Sequence, residues 1–236
     1  MIVLRRAENR GHFDHGWLHT YHTFSFGKYS DPAHMGFRAL RVLNDDRVAP
    51  GRGFGAHGHR DMEIFTYVLE GGLAHNDSTG ERHVLRPNEI QAMSAGTGVI
   101  HSEFNASQTD PVHLVQIWIL PAQEDVPPRY QQFGYDPAEK QNRLRLLVGP
   151  DRTPPEPAAF IYQDARAYAC VLGAGKTIER PIAPRRHGWV HCAQGNIDLN
   201  GHAMKEGDGA AVSDERALQI AGTGAQGGEF LLIDLA

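Results

Sequence analysis

Apolar residues fall along this chain in short runs and do not recur at the helical period of about 3.6 residues. Strands are predicted over Arg38–Leu43, Ile64–Leu69, Ile90–Met93, Val112–Leu120, Leu144–Val148, Tyr168–Leu172, Trp189–Ala193 and Phe230–Leu235. Gly, Pro, Asn and Asp punctuate them roughly every 8–12 residues, the rhythm of an all-β sandwich or barrel. The stretch from Pro121 to Gln141 breaks that rhythm with Pro127-Pro128, an Asp136-Pro137 step and many polar residues. A linker is therefore placed at 122–142, with a short helix after Pro137. It separates an N-terminal barrel, 1–121, from a C-terminal barrel, 143–236. Thr153–Pro157 is expected as a stiff, exposed loop.

The two halves resemble each other. Glu63–Gly71 and His187–Gly195 are both strands ending in glycine, followed by Pro87–Glu89 or Glu206–Asp208, then by Ala92-Met93-Ser94 or Ala211-Val212-Ser213. Duplication of one barrel accounts for this.

Composition narrows the function. A chain of 236 residues is long enough for two small cores, and 41% hydrophobic residues suit a globular protein. A net charge of −5 argues against a nucleic-acid partner, which needs a basic face. No apolar run of about 18 residues is present to cross a membrane. Met1–Arg6 lacks the apolar stretch of a signal peptide, and Cys170 and Cys192 read as reduced core cysteines, so a cytoplasmic location is expected.

The 14 histidines raise the question of a metal, and their spacing must answer it. In a strand, residues i and i+2 share a face. His57 and His59 can therefore meet one ion from one strand, and His101 and Glu103 from another, fed by a turn that Gly96 and Gly98 permit. Three imidazoles and a carboxylate suit one divalent transition metal: iron(II), manganese, nickel, copper or zinc. The absence of thiolates argues against a closed structural zinc site. Octahedral coordination would leave two positions for O2 and a substrate oxygen.

These segments resemble the two cupin motifs. More narrowly, His57-x-His59-Arg60-Asp61-Met62-Glu63, Met93–Gly98 and His101-Ser102-Glu103 resemble the pirin family. So do His15-Gly16-Trp17, His22–Phe26, Met35–Phe37 and Arg41–Asp45. The resemblance is dense over residues 1–120 and thin beyond. It implies two cupin (jelly-roll) barrels, with iron or a similar metal held by His57, His59, His101 and Glu103 in the first barrel only. Glu63 stands where general cupins carry their carboxylate ligand. Its expected role is to orient a ligand imidazole, with direct binding as the alternative. Asp61 is read as a turn residue. A gapless alignment places Pro181 and Ala183 where His57 and His59 stand, and His187, His191 and His202 are read as surface or core residues.

Gly222-Thr223-Gly224-Ala225-Gln226-Gly227 spells a dinucleotide-binding loop, but a strand follows where a helix is required, so a hairpin loop is expected. Ser94 lacks the setting of a hydrolase nucleophile. Trp17, Tyr21, Phe24 and Phe26 are expected to cover the barrel mouth or stack on a flat substrate, and Gln116 is a candidate to face the cavity.

The resemblance implies a dioxygenase that cleaves a flavonol such as quercetin with O2 and releases carbon monoxide. Glu103 would take the substrate's hydroxyl proton. It equally admits a non-enzymatic, iron-binding, redox-responsive regulator with a protein partner. A third reading, another cupin reaction such as an isomerisation, would be favoured by a pocket too small for three linked rings.

Overall fold

A computed structural model of the chain describes every residue except Thr79, Glu81, Thr153 and Pro155. The loop expected at Thr153–Pro157 thus lies partly outside the described residues. The fold is two jelly-roll barrels whose strands are antiparallel except for one short parallel pair, Arg145–Gly149 with Ala159–Phe160. Among the described residues, helical structure is limited to two 3-10 turns, Ala7–Asn9 and Pro137–Lys140. The second follows Pro137 as expected. Asp136 caps it by accepting a hydrogen bond from the Ala138 amide, while Glu139 accepts one from the Asp136 amide, both at 2.9 Å.

In the first barrel a seven-stranded sheet runs in the order Arg129–Gly134, Glu89–Ser94, Glu63–Glu70, Val112–Ile119, Leu40–Val48, Leu18–His22, Gly11–Asp14. Opposite it lies a four-stranded sheet: Gly53–His59, Val99–Asn105, Leu73–Asp77, Arg82–Leu85. The second barrel repeats this plan. Its main sheet centres on His187–Leu199, paired with Gly209–Val212 and Gly228–Leu235. The end of His187–Leu199 bends into the smaller face with Ala217–Gly222, Thr177–Pro181 and His202–Lys205.

The predicted strands are all present, but the boundary between barrels differs from the expected linker at 122–142. Within that segment Arg129–Gly134 is a strand, paired along its whole length with Glu89–Ser94 of the first barrel. Reciprocally, Ile2–Arg5 pairs with Gly209–Val212 of the second barrel. Each barrel therefore closes one sheet edge with a strand from the other half of the sequence, satisfying amides and carbonyls that an edge would leave open. The composition Arg-Tyr-Gln-Gln-Phe-Gly, just after two prolines, disguises the first of these strands as a loop.

The register makes the duplication explicit. Glu63 pairs with Ile119 and Ser94, and His187 pairs with Leu235 beside Ser213. Even the side-chain contact recurs: the Ser94 hydroxyl donates to Glu63 at 2.7 Å, and Ser213 Oγ lies 3.0 Å from His187 Nδ1. The barrels pack main sheet against main sheet. Leu43, Phe65, Tyr67, Val115 and Ile117 from one meet Leu147, Ala167, Trp189, Leu231 and Ile233 from the other in a single apolar core.

A buried charged cluster lies at that interface. Lys140 Nζ donates to Tyr67 Oη at 2.7 Å and to Glu229 Oε1 at 2.6 Å, with both charged side chains nearly buried. The Tyr67 hydroxyl also donates to Glu229. Lys140→Met leaves the Glu229 carboxylate without its cation in a dry interface. Urea denaturation is expected to show a loss of about 3 kcal/mol, partly recovered in Lys140→Met/Glu229→Gln.

Candidate metal centre

Strand Val99–Asn105 sits between Gly53–His59 and Leu73–Asp77. His101 pairs with His57 on one side and with Asp77 on the other. Two residues along, Glu103 pairs with Phe54 and with His75, so the register slips by one residue on the Gly53–His59 strand. This bulge at Gly55-Ala56 has a consequence. Phe54 and His57 have opposite parity, yet both line the same cavity. Gly53 is required beside it, because a Cβ there would collide with the Glu103 carbonyl and the Phe104 Cα.

The expected imidazoles converge. Nε2 of His101 lies 3.0 Å from Nε2 of His57 and 2.9 Å from Nε2 of His59. With metal–nitrogen bonds of about 2.1 Å, two ligands at right angles stand about 3 Å apart, so these separations match adjacent corners of a coordination sphere. His57 Nδ1 lies 2.8 Å from the Gly55 carbonyl and donates to it, which leaves its Nε2 lone pair turned to the site. Burial above all, then the neighbouring His57, pushes His59 down to about 4. Burial, then His59 and His57, pushes His101 down to about 3. Both rings are therefore neutral near pH 7, as ligation requires.

Glu103 is fully buried, and burial pushes its carboxyl up to about 7. Gln116 Nε2 donates to Oε2 at 2.9 Å and Gln91 Nε2 to Oε1 at 3.4 Å. A carboxylate oxygen of Glu103 and ring nitrogens of His101 and His75 lie within 4.8 Å of one another. The histidine trio and Glu103 are thus joined through His101, and the cluster can hold a metal ion. The missed member is His75. Gln91 donates to its Nδ1 at 3.2 Å, and its Nε2 faces Asp77 Oδ2 at 3.1 Å. The signal available was the His75-x-Asp77 alternation, on a strand facing Glu103.

Glu63 stands elsewhere. Its carboxyl is buried against Ser94 and the Tyr162 backbone, pushed up to about 7 by burial, and neither reaches an imidazole nor lines the cavity. The parity argument fails because the chain turns between the two strands. Asp61 has φ of 45° and accepts from the Asp125 amide, so the alternation restarts at Glu63.

The cavity beside the trio measures about 200 Å³ and is lined by Phe26, Phe54 and Trp118 together with Thr20, His22, Asn44, Asp46 and Gln116. Trp118 stands edge-on to His59 and to Phe26, with centroids 4.8 and 5.3 Å away. Gln116 faces the cavity as expected. Of the four aromatic residues expected at the mouth, only Phe26 lines it. Trp17 backs Phe54, Phe24 packs on Trp189 between the barrels, and Tyr21 stacks on His12.

The second barrel fills the matching space with apolar groups. Gln91, Thr66, Gln116 and Asn44 form one row in the first barrel, and Ala210, Val190, Leu232 and Tyr168 form the same row in the second. Where His101 pairs with His57, Ile220 pairs with Ile178. The gapless alignment that chose Pro181 and Ala183 is corrected by a longer connection after Pro181. Both candidate metal clusters among the described residues lie in the first barrel. His187 is half-buried, His191 buried and His202 exposed. Cys170 and Cys192 are both buried and free, as expected. Residues 222–227 join strands of two different faces and are not a hairpin, and no helix follows.

Two jelly-roll barrels, one with a histidine-lined interior and one packed solid, define a bicupin. The chain belongs to the pirin family: the pirin family model matches residues 3–119, and that of the quercetinase C-terminal cupin domain matches 146–235. It is 44% identical over 235 residues to the quercetin 2,3-dioxygenase of Escherichia coli strain K12, covering 100% of this chain and 99% of that protein. It is 35% identical over 236 residues to a pirin-like protein of Caulobacter vibrioides, with 100% of each covered. The crystal structure of YhhW from Escherichia coli superposes with a TM-score of 0.93 at 44% identity, over 100% of this chain and 98% of that one. The structure of the bacterial pirin YhhW from Escherichia coli in complex with nickel(II) does so at 0.92 and 43%, over 100% and 99%.

His101→Ala removes the imidazole shared by both clusters, and elemental analysis is expected to find it without stoichiometric metal. Glu63→Gln should retain the wild-type content. Gln116→Leu, which strips Glu103 of its closer donor, should weaken metal affinity by about 10–100-fold in a competition titration.

Proposed function

We propose that this protein is a metal-dependent dioxygenase that opens a flavonol such as quercetin, with His57, His59, His101 and Glu103 holding one iron(II). The observation that carries this reading is the meeting of three imidazole nitrogens at the wall of an aromatic-lined cavity. The relative named quercetin 2,3-dioxygenase, alike over the whole chain, supports the choice of substrate.

A divalent transition metal bound there supplies Lewis acidity toward the substrate's hydroxyl and a path for electrons between the flavonol and O2. The chain's own residues do the rest. Glu103 borders the cavity and accepts the hydroxyl proton, while Gln116 and Gln91 fix its orientation. Phe26, Phe54 and Trp118 hold the flat ring edge and exclude water from it. At about 200 Å³ the cavity is smaller than the ~300–1,000 Å³ that encloses a whole drug-sized ligand. It therefore encloses the hydroxy-ketone end of a flavonol and leaves the far ring at the mouth. The same size favours a second reading, a single-ring aromatic substrate on the same centre.

Protein loaded separately with iron, nickel, manganese or copper should bleach the flavonol absorbance of quercetin and release one carbon monoxide per flavonol consumed. His101→Ala should abolish both signals. Absence of turnover with every metal overturns the flavonol assignment.

A further inference from the structure

Strand Leu40–Val48 turns two residues into the cavity, Asn44 and Asp46, which the metal chemistry does not use. Each is only 3% exposed, and in each the Oδ1 atom has no hydrogen-bond partner. A buried acceptor left open costs about 1–3 kcal/mol, and native proteins rarely carry two side by side without a use. On the next strand Thr20 pairs with Asp46 and His22 with Asn44, so the four side chains form one patch. Thr20 bonds to the Asp46 carboxyl, yet Oδ1 stays open, and His22 Nδ1 is also without a partner.

Two donors beside the patch are already engaged: Trp118 Nε1 donates to Gln116 Oε1 at 3.2 Å, and Gln116 Nε2 donates to Glu103. Neither serves the open oxygens of Asn44 and Asp46, which lie next to three aromatic side chains. Asn44 is also the cross-strand neighbour of Gln116, which places it within one ring's width, about 5 Å, of the side chain that holds Glu103.

We propose that Asn44 and Asp46 select aromatic substrates bearing hydroxyl groups by accepting hydrogen bonds from them. The inference rests on reading this cavity as the substrate site and adds what that site recognises beyond the metal-binding edge. A hydroxyl both donates and accepts, so it completes the Asp46 carboxyl in either protonation state. An analogue without hydroxyls leaves both oxygens buried and unpaired.

The test is equilibrium binding to metal-loaded protein under anaerobic conditions, followed by the intrinsic tryptophan fluorescence. Quercetin and 3-hydroxyflavone share the hydroxy-ketone edge and differ in their other hydroxyls; pyrogallol and catechol form a single-ring pair that likewise shares its metal-binding edge. Wild type should prefer the more hydroxylated member of each pair by about tenfold or more. Asn44→Leu and Asp46→Leu, similar in shape, should bring the preference to within about twofold while metal content stays unchanged. The conservative Asn44→Asp should keep it. If the leucine variants do not fold, Asn44→Ala and Asp46→Ala withdraw the acceptors instead. Equal binding of both members by wild type, or an unchanged preference in the variants, overturns the proposal. A pyrogallol preference that depends on Asn44 and Asp46, with no flavonol bound, supports it and removes the flavonol reading alone.

Discussion

The register that sets His101 opposite His57 governs the rest of this structure. Cross-strand neighbours stand about 5 Å apart, so side chains that meet at their tips must leave the same face of the same ladder. His59 joins because it lies two residues beyond His57 on that strand. A slip of one residue would turn a histidine out of the barrel and dissolve the trio. The bulge at Gly55-Ala56 confines the one slip that does occur to the far side of His57, where it serves to bring Phe54 inward. Close strand approach at Gly53 holds that bulge in place.

A polar interior is an expensive feature in a domain of this size. Gln91, Asn44, Asp46 and Glu103 are all buried in the first barrel and Gln116 is half-buried, where a second layer of apolar side chains would stabilise it more. The compensation lies outside the barrel. Its apolar clusters are pushed to either end of the cavity, around Leu73, Leu85 and Leu114 on one side and Ile64 and Met93 on the other. The outer face of its main sheet then joins the core shared with the second barrel. That second barrel keeps the same pairing with Ala210, Val190 and Leu232 in place of the polar row, and the exchanged strands Ile2–Arg5 and Arg129–Gly134 bind the halves together. The copy thus uses the matching interior for packing, with Ile178 and Ile220 paired where His57 and His101 pair in the first barrel.

What the sequence disclosed follows the range of its signals. Alternation within one strand is local, so His57 with His59 and His101 with Glu103 were legible, and so was the strand repeat that aligns Glu63 with His187. Parity carried across a turn was not legible. The left-handed Asp61 resets the alternation, and Glu63 leaves the site that its spacing suggested. His75, Gln91, Asn44 and Asp46 were missed for a different reason. Each looks like an ordinary polar residue in a strand, and only the barrel's closure shows that they point at one another or into the cavity. The strand at Arg129–Gly134 was hidden because its pairing partner, not its own composition, makes it a strand.

Glu103 links the two ends of this argument. Its carboxyl belongs to the cluster around His101, yet both hydrogen bonds that position it come from the opposite sheet, from Gln91 and Gln116. Gln116 in turn is the register neighbour of Asn44. The group that would take the substrate's proton is therefore aimed by the same wall that offers open acceptors to a substrate. On the proposed reading, a ligand that engages Asn44 meets the register neighbour of the residue bonded to Glu103, so recognition and proton transfer would share one wall of the barrel. Gln116 stands at its centre: its amide nitrogen donates to Glu103, and its carbonyl accepts from Trp118 on the aromatic side.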